Sequence, residues 1–436
     1  MKILIDHGTW RNFGDLAMLE GVLGQYTRQS WAQTFVVDCP FLAAGLGESQ
    51  PTRRVPAPVL RLPLWRGLSR LPYLWRHRAW LQRLGHAPYF FTSGRFGTDP
   101  RRLLPGNDGC TLDEYCRRFD AYHVVGGGFL TDVFANALWA RCCLIHTFAA
   151  QGKPILLTGQ QLGPFTSGRA RHALYRALRR AAFVGVREPF ESATHCAQAG
   201  LSPEQTGLMG DDSFGLAPAP SVQVRALLAR YRLTPGRFLA VNVRIAPYSQ
   251  SHAAYLRLIA DLLRGLADQL GMELAVVPIA VGEQESDISA GQQLAEVLGE
   301  NLLRVVDDPG LTASLIKGIL GHAYGAVGVS YHFCTFALSQ GVPAVCLYDG
   351  SYYAQKGRGL TGFWGDDRLA LPLERLEVAE SVRWITSVLA DGVLREHLGG
   401  RAAQAIRRWE EIFERQLAQL PKPVSDGQRG RQVLAG

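Results

Sequence analysis

Short apolar segments typical of buried β-strands alternate with amphipathic helical segments along most of the chain, and no other feature restricts the fold as strongly. The first strand is KILID (2–6). The next helix starts near Asp15, and Leu16, Leu19 and Leu23 follow at the three- and four-residue spacings of one helix face. Because these strands are apolar throughout and are joined by helices, they predict parallel sheets covered on both faces.

The same alternation continues towards the end of the chain. The further predicted strands are 121–125, 154–159, 183–186, 238–244, 273–279, 302–306, 325–330 and 343–348. The predicted helices are 167–182, 252–270, 286–298, 311–320, 332–340, 375–391 and 394–419. APAPSVQV (217–224) interrupts the pattern. We therefore predict an α/β protein of two doubly wound, Rossmann-like domains, 1–218 and 225–420, that face a cleft, followed by a frayed tail at 421–436.

The composition sets the class of protein. A chain of 436 residues, 47% of them hydrophobic, is long enough for two domains and too apolar for a disordered protein. No apolar run is long enough to span a membrane, and Asp6 precedes any signal-like segment. The eight cysteines show neither a CxxC pair nor zinc-ligand spacing. We expect reduced, mostly buried thiols in a cytoplasmic protein without a metal centre.

The segment 49–104 departs from the alternation and is predicted to be an insertion on the first domain. Residues 49–98 hold nine arginines, no lysine and no acid, whereas the whole chain has a net charge of +8. Trp65, Trp75 and Trp80 lie among the arginines. Three interpretations remain: peripheral contact with an anionic membrane surface, a wall of a sugar-acceptor site, or a solvent-exposed excursion. No nucleic-acid-binding module accompanies this charge, so we expect no nucleic-acid partner.

A loop after the first strand has the composition of an anion site. HGTWRNFGD (7–15) leads into a helix, and the unpaired N–H groups of a helix N-terminus favour a phosphate or carboxylate. Asn12, Gly14 and Asp15 are the candidate binding residues. The alternative is that Asn12 or Asp15 caps the helix and the glycines only form the turn.

A second glycine-rich segment, VVGGGFLTD (124–132), is predicted to be a strand, a loop and the start of a helix. Successive N–H groups at Gly127 and Gly128 would form a concave nest for an anion. The segment matches neither the dinucleotide-binding fingerprint nor the P-loop, so we assign it to neither class.

Four cationic or titratable side chains follow predicted strands. Arg187 and Arg244 each end an apolar strand, where a guanidinium can bind phosphate or carboxylate, or else form an ion pair with a neighbour such as Glu188. His332 opens a helix and is a candidate acid or base, although a single histidine can equally be structural. Lys356 is predicted to lie in a loop, where it completes an anion site or is simply solvated.

Taken in order, several segments resemble the polysaccharide pyruvyl transferase family. The resemblance spans residues 12–356. The matching segments are NFGDLAMLEGVL (12–23), VVGGGFLTD (124–132), TGQQLGPF (158–165), VGVREPFES (184–192), GDDSF (210–214) and VGVSYHFCTFALSQGVPAVCLYDGSYYAQK (327–356).

The resemblance implies a two-domain, glycosyltransferase B-like fold. It also implies transfer of the enolpyruvyl unit of phosphoenolpyruvate to paired sugar hydroxyls, which forms a pyruvate ketal on a glycan precursor. His332 stands where the family has its catalytic histidine, and Arg187 and Lys356 are implied to hold the donor. Phosphoenolpyruvate is then a co-substrate, and no cofactor is expected.

One position departs from the family pattern. The family usually has Arg-Leu-His where this chain has Ser330, Tyr331 and His332. Either Arg244, Arg358 or an arginine of the insertion replaces the missing cation, or the donor has changed.

We therefore predict a cytoplasmic pyruvyl transferase. In one interpretation it binds peripherally to the inner face of the membrane. Its partners would be an anionic donor and a glycan or lipid-linked sugar acceptor. The alternatives are a nucleotide-sugar-dependent glycosyltransferase and a catalytically lapsed glycan-precursor binder of the same fold. The pocket around His332 separates them, because a cluster of cations favours the first and a base-sized slot favours a glycosyltransferase.

Overall fold

The computed structural model describes residues 1–9, 11–38, 53–56, 112–244, 252–282, 286–299 and 301–421. These residues form two parallel β-sheets, each with helices packed on it. The predicted α/β architecture of two doubly wound domains is confirmed.

The first sheet has eight strands and the order β3-β2-β1-β4-β6-β7-β8, with β5 paired to β6. All of its pairs are parallel. The strands are β1 (Lys2–Asp6), β2 (Gln33–Asp38), β3 (Arg53–Pro56), β4 (Ala121–Val124), β5 (Gly127–Leu130), β6 (Ile155–Leu162), β7 (Phe183–Val186) and β8 (Thr206–Leu208). The strand order reverses direction at β1 and β4, which is where ligands of such sheets bind.

The second sheet has six parallel strands in the order β11-β10-β9-β12-β13-β14. They are β9 (Phe238–Asn242), β10 (Glu273–Val276), β11 (Leu303–Val305), β12 (Gly325–Gly328), β13 (Ala344–Tyr348) and β14 (Ala370–Pro372). The strands of the first sheet precede the interruption at 217–224, and those of the second sheet follow it.

The described helices connect these strands. They are α1 (Phe13–Thr27), α2 (Leu112–Arg117), α3 (Ala135–Ala150), α4 (Gly168–Leu178), α5 (Glu191–Ala199), α6 (Ser221–Arg230), α7 (His252–Leu270), α8 (Asp287–Leu298), α9 (Ala313–Gly321), α10 (Tyr331–Leu338), α11 (Gly350–Trp364), α12 (Val378–Ala390) and α13 (Gly392–Gln419). Each strand and helix predicted from the sequence is present, with ends that shift by a few residues. Helix α11 was not predicted, since its segment is rich in glycine and tyrosine.

Helix α13 links the two domains at the end of the chain. It begins beside the second domain, where Arg395 donates to the Tyr324 carbonyl at 2.6 Å. Further along, Trp409 donates its indole N–H to Asp212 of the first domain at 2.9 Å. The Phe413 ring lies 5.8 Å from that of Tyr26 on α1. The last helix therefore holds the first domain against the second.

Two predictions lie largely outside the described residues. The tail at 421–436 is described only at its first residue. The Arg/Trp-rich insertion at 49–104 is described only at β3, which pairs in parallel with β2 and so extends the first sheet.

Candidate active site

His332 lies in the first turn of α10, directly after β12, and faces the first domain. Its ring packs on Gly14 of α1, where a Cβ atom would come within 2.2 Å of the ring Cγ and Nδ1 atoms. Only glycine leaves room for the imidazole at this point. Gly14 therefore positions the histidine by packing across the cleft, and this role differs from the predicted contact with an anion.

Asp211 joins His332 to Arg187. Its Oδ2 atom lies 3.6 Å from His332 Nε2 and 3.6 Å from Arg187 Nη1. The carboxyl group is fully buried, and its other oxygen accepts the Ser213 N–H at 3.0 Å. Burial alone would raise the pKa of Asp211, but the facing His332 and Arg187 outweigh it and the net shift is downward. Asp211 therefore remains a carboxylate between the His332 imidazole and the Arg187 guanidinium.

Arg187 follows β7 and is only 1% exposed. Its guanidinium lies 4.0 Å from the centre of the Tyr331 ring, and its Nη2 donates to Gln161 Oε1. Within the described residues, Nη1 has no hydrogen-bond acceptor and only the longer contact with Asp211. The expected position at the carboxyl edge of a buried strand is confirmed, and Glu188 is not its ion-pair partner, since that carboxylate accepts the N–H groups of Phe190 and Ser192.

Lys356 lies on helix α11, so the prediction that it lies in a loop was wrong. Its ammonium group sits 4.3 Å from the centre of the Tyr352 ring and 5.3 Å from that of Tyr353. Burial, followed by repulsion from Arg187 and Arg244, lowers the pKa of Lys356 to about 7. The helix brings this amine to the carboxyl edge of the first sheet, where the same surroundings favour binding of an anion.

Gly128 marks where this lysine meets the first domain. Its carbonyl accepts the Tyr352 hydroxyl at 3.0 Å, and a Cβ atom on it would lie 3.3 Å from Arg187 Nη2 and 3.4 Å from Lys356 Cε. Gly127 is different, because a Cβ there would meet the Phe129 ring. Both glycines belong to strand β5, so the predicted loop and anion-binding nest at this run were wrong. Gly128 allows close packing of the two domains instead.

The N–H groups at the N-terminus of α1 donate to acceptors within the protein, as in the alternative that a side chain caps this helix. Asn12 Oδ1 accepts the N–H groups of Gly14 and Asp15 at 2.8 and 3.4 Å, and the Phe13 N–H donates to the Ile279 carbonyl at 2.8 Å. Asn12 is therefore a cap rather than a donor-binding residue.

Asp15 faces the cationic cluster from the side of α1. Its carboxylate accepts the Thr9 N–H at 2.8 Å. Burial raises the pKa of Asp15, while His332, Lys356 and Arg187 oppose the rise. The site thus contains a second carboxyl group whose protonation is set differently from that of Asp211.

Two arginines considered as replacements for the missing family arginine have other partners. Arg244 makes a paired contact with Asp287, at 3.0 Å from Nε to Oδ1 and 3.3 Å from Nη2 to Oδ2. Arg358 bonds to Glu191 on an exposed face. Arg244 still lies close enough to influence Lys356. Among the described residues, the cations that meet around His332 are therefore Arg187 and Lys356. Most of the insertion's arginines lie outside the described residues.

Other functional features are absent from the described part of the chain. There, no group of three or more histidine, cysteine or acidic side chains is arranged to hold a metal ion. The six described cysteines are all buried. No helix in the described ranges is long and apolar enough to cross a membrane.

The sequence places this cluster in a known family. A model of the polysaccharide pyruvyl transferase family matches residues 12–351, most of the chain. The chain belongs to the polysaccharide pyruvyl transferase family. It is therefore a transferase of the kind that modifies polysaccharides. A search of curated proteins finds no significant match.

Solved structures share the fold at low sequence identity. Anabaena HepE in complex with UDP is 14% identical with a TM-score of 0.53, and the alignment covers 96% of this chain and 98% of HepE. UDP-GlcNAc 2-epimerase from Methanocaldococcus jannaschii is 9% identical with a TM-score of 0.54, covering 93% and 99%. The calicheamicin glycosyltransferase CalG4 is 12% identical with a TM-score of 0.50, covering 96% and 98%. The glycosyltransferase B-like fold is confirmed.

The sequence analysis missed three contributors to the site. Asp211 entered the sequence analysis only as part of the family segment GDDSF, and that segment was the available signal. Tyr331 and Tyr352 were not singled out. Their positions beside His332 and Lys356 become informative only once α10 and α11 are known to face the first domain.

Proposed function

We propose that this transferase moves the enolpyruvyl unit of phosphoenolpyruvate onto two hydroxyls of a sugar in a glycan or glycan precursor, and so forms a pyruvate ketal. The observation that carries the proposal is the meeting of Arg187, Lys356, His332 and Asp211 in one cleft at the carboxyl ends of the strands. Family membership supplies the type of reaction, and the geometry supplies groups suited to each step.

Donor binding needs positive charge, because phosphoenolpyruvate carries a phosphate and a carboxylate. Arg187 has a buried Nη1 without an acceptor among the described residues, and a guanidinium matches either anion. Lys356 lies on the facing helix and gains a partner for its charge when the donor binds. Ser330 brings no charge to the place where the family has an arginine, so among the described residues these two hold the donor's charge in this proposal. An arginine of the insertion stays the alternative replacement.

His332 is proposed to protonate the methylene carbon of the donor. A sugar hydroxyl adds to C2 and gives up its proton while C3 takes a proton from the imidazolium. Asp211, held as a carboxylate 3.6 Å from Nε2, stabilises the protonated imidazole. Its second contact with Arg187 couples the acid to the donor-binding group.

The ketal closes in a second step. The C2–O bond to phosphate breaks, the phosphate leaves with both electrons of that bond, and the second hydroxyl attacks the resulting oxocarbenium-like carbon and loses its proton. The two hydroxyl protons balance the one added to C3 and the one released with phosphate. We propose that no metal or cofactor is needed, because the two cations neutralise the leaving phosphate.

We also propose a cytoplasmic location and a glycan or lipid-linked sugar as acceptor. Phosphoenolpyruvate is a metabolite of the cell interior, and a reducing compartment suits the unpaired thiols of Cys142, Cys196, Cys334 and Cys346. Peripheral contact of the Arg/Trp-rich segment with an anionic membrane stays a prediction, since that segment lies outside the described residues.

A nucleotide-sugar-dependent glycosyltransferase is the second candidate, and one observation favours it. A cavity of about 510 Å³ opens on the other face of α11, lined among others by Tyr348, Ser351, Arg358 and Arg375. Its volume suits a nucleoside. It lies on the opposite side of α11 from Lys356, however, and therefore away from His332.

The test is a reaction with phosphoenolpyruvate and a panel of methyl hexopyranosides, followed by phosphate release and by the ketal methyl signal in proton NMR. We expect both signals to appear together and both to be lost in His332→Ala. Sugar transfer from a nucleotide sugar, with no phosphate released from phosphoenolpyruvate, would replace this proposal with the second candidate.

A further inference from the structure

Phe134 exposes an aromatic ring at the edge of the cleft. It ends the short 3-10 turn after β5 and remains 45% exposed, next to Val133 at 56%. Single exposed apolar side chains are ordinary, but adjacent ones at the rim of a polar cleft form a candidate ligand surface. The question is which ligand would cover this ring.

The contacts of Phe134 connect it to the donor-binding cluster. Its ring meets Tyr352 edge to face, with the centres 5.8 Å apart and the planes at 78°. Tyr352 is fixed by its hydrogen bond to the Gly128 carbonyl and lies under the Lys356 ammonium group. One aromatic ring therefore separates the exposed phenyl group from the cation at the centre of the site.

Phe190 is a comparable residue whose ring has a packing role. It is 50% exposed, but a Cβ atom on Gly362 of α11 would lie only 2.2 Å from its ring. Phe190 thus fills the space above a helical glycine at the far end of α11. Phe134 packs edge to face on Tyr352, and this geometry leaves much of its ring open to a ligand.

We propose that Phe134 and Tyr352 form the acceptor subsite, in which the apolar face of a pyranose ring stacks on Phe134 and its paired hydroxyls point towards Lys356 and His332. This inference rests on the proposed function. A pyranose has a face of C–H groups and a rim of hydroxyls, so it suits an aromatic surface that borders a polar site. The acceptor would be a pyranose residue that binds beside the donor.

Sugar binding is tested without any turnover. Saturation-transfer NMR with methyl glucoside, galactoside and mannoside identifies a bound sugar, and titration gives its dissociation constant. Phe134→Ala and Phe134→Leu should each raise this constant about fivefold. Phe134→Tyr should restore it, because the ring returns. Phe190→Ala is the matched control and should leave it unchanged.

The outcomes separate this inference from the proposed function. Unchanged sugar binding in Phe134→Ala, or equal loss in Phe190→Ala, would overturn the subsite. Full binding of octyl glucoside by Phe134→Leu, with no dependence on the sugar head, would overturn it in favour of an alkyl chain. Phosphoenolpyruvate binding is measured on the same variants by thermal unfolding. If only that binding is missing, the donor assignment fails while the acceptor subsite stands.

Discussion

Asp211 and Asp212 are consecutive, fully buried aspartates with opposite surroundings. The Asp211 carboxylate faces the His332 imidazole and the Arg187 guanidinium in the cleft, and its pKa is lowered despite burial. Burial raises the pKa of Asp212 to about 7, and three neutral donors offset only part of the rise. The side-chain type is the same, so the partners alone decide which carboxyl group stays ionised.

This difference distinguishes the region proposed to carry out the reaction from a region that stabilises the fold. Asp212 accepts from Thr158, the Gly126 N–H and the Trp409 indole, and so fastens helix α13 to the first sheet. Thr158 continues to His123 at 2.8 Å, whose pKa burial lowers to about 3. This network is closed to solvent, and no cation of the described residues faces Asp212 in it. The Asp211 region is charged and has buried polar atoms that lack hydrogen-bond partners among the described residues.

The largest expected effect comes from removing the imidazole that Asp211 faces. His332→Ala should reduce kcat about a thousandfold, because general acid catalysis commonly contributes that much. The unfolding transition should stay close to that of the unmodified protein. Steady-state phosphate release and thermal unfolding check the two statements, and retention of full activity would remove His332 from the mechanism.

Asp212→Ala should act on stability instead. Its loss leaves three buried donors without an acceptor, at a cost of about 2 kcal/mol in the free energy of unfolding. Denaturant unfolding measures this loss. Activity per folded molecule should be retained, whereas a selective loss of activity at full stability would show that the two aspartates do not differ in role.

Asp211→Asn should lower activity more than stability, which is the reverse of Asp212→Ala, and its effect should be smaller. The amide keeps the shape and the bond from the Ser213 N–H but removes the negative charge beside His332 and Arg187. We expect about a tenfold decrease in kcat, equal to the loss of about 1.4 kcal/mol of transition-state stabilisation. The change in unfolding free energy should be smaller than for Asp212→Ala. A larger loss of stability than activity would contradict the assignment.

The smallest expected effect is a pH dependence of donor binding at the charged cluster that contains Asp211. Lys356 has a pKa lowered to about 7, so its charged form is lost as the pH rises through 7. The donor binds the charged form, and its dissociation constant should rise about fivefold between pH 7 and pH 8, where the phosphate is already fully ionised. Calorimetric titration should show this rise vanish in Lys356→Arg. A rise in the dissociation constant that persists in Lys356→Arg and vanishes in Asp212→Asn would make Asp212 the titrating group and contradict this prediction.

The sequence predicted the fold well because apolar periodicity reports burial directly. It also identified His332 and Arg187, which stand at strand ends where side chains meet a cleft. It failed where a contact depends on the other domain. From the sequence alone, Gly14 and Gly128 look like loop glycines, yet in the structure they make room for His332 and for Tyr352. Lys356 was placed in a loop because a glycine-rich segment gives no helical period.

The most direct test of the central claim is thermal unfolding with and without phosphoenolpyruvate, beside a panel of nucleotide sugars. A ligand at 100 times its dissociation constant stabilises the folded state by about 2.7 kcal/mol. We expect a clear upward shift with phosphoenolpyruvate that is lost in Arg187→Ala and kept in Arg169→Ala, an exposed arginine on α4. A shift with a nucleotide sugar and none with phosphoenolpyruvate would contradict the account.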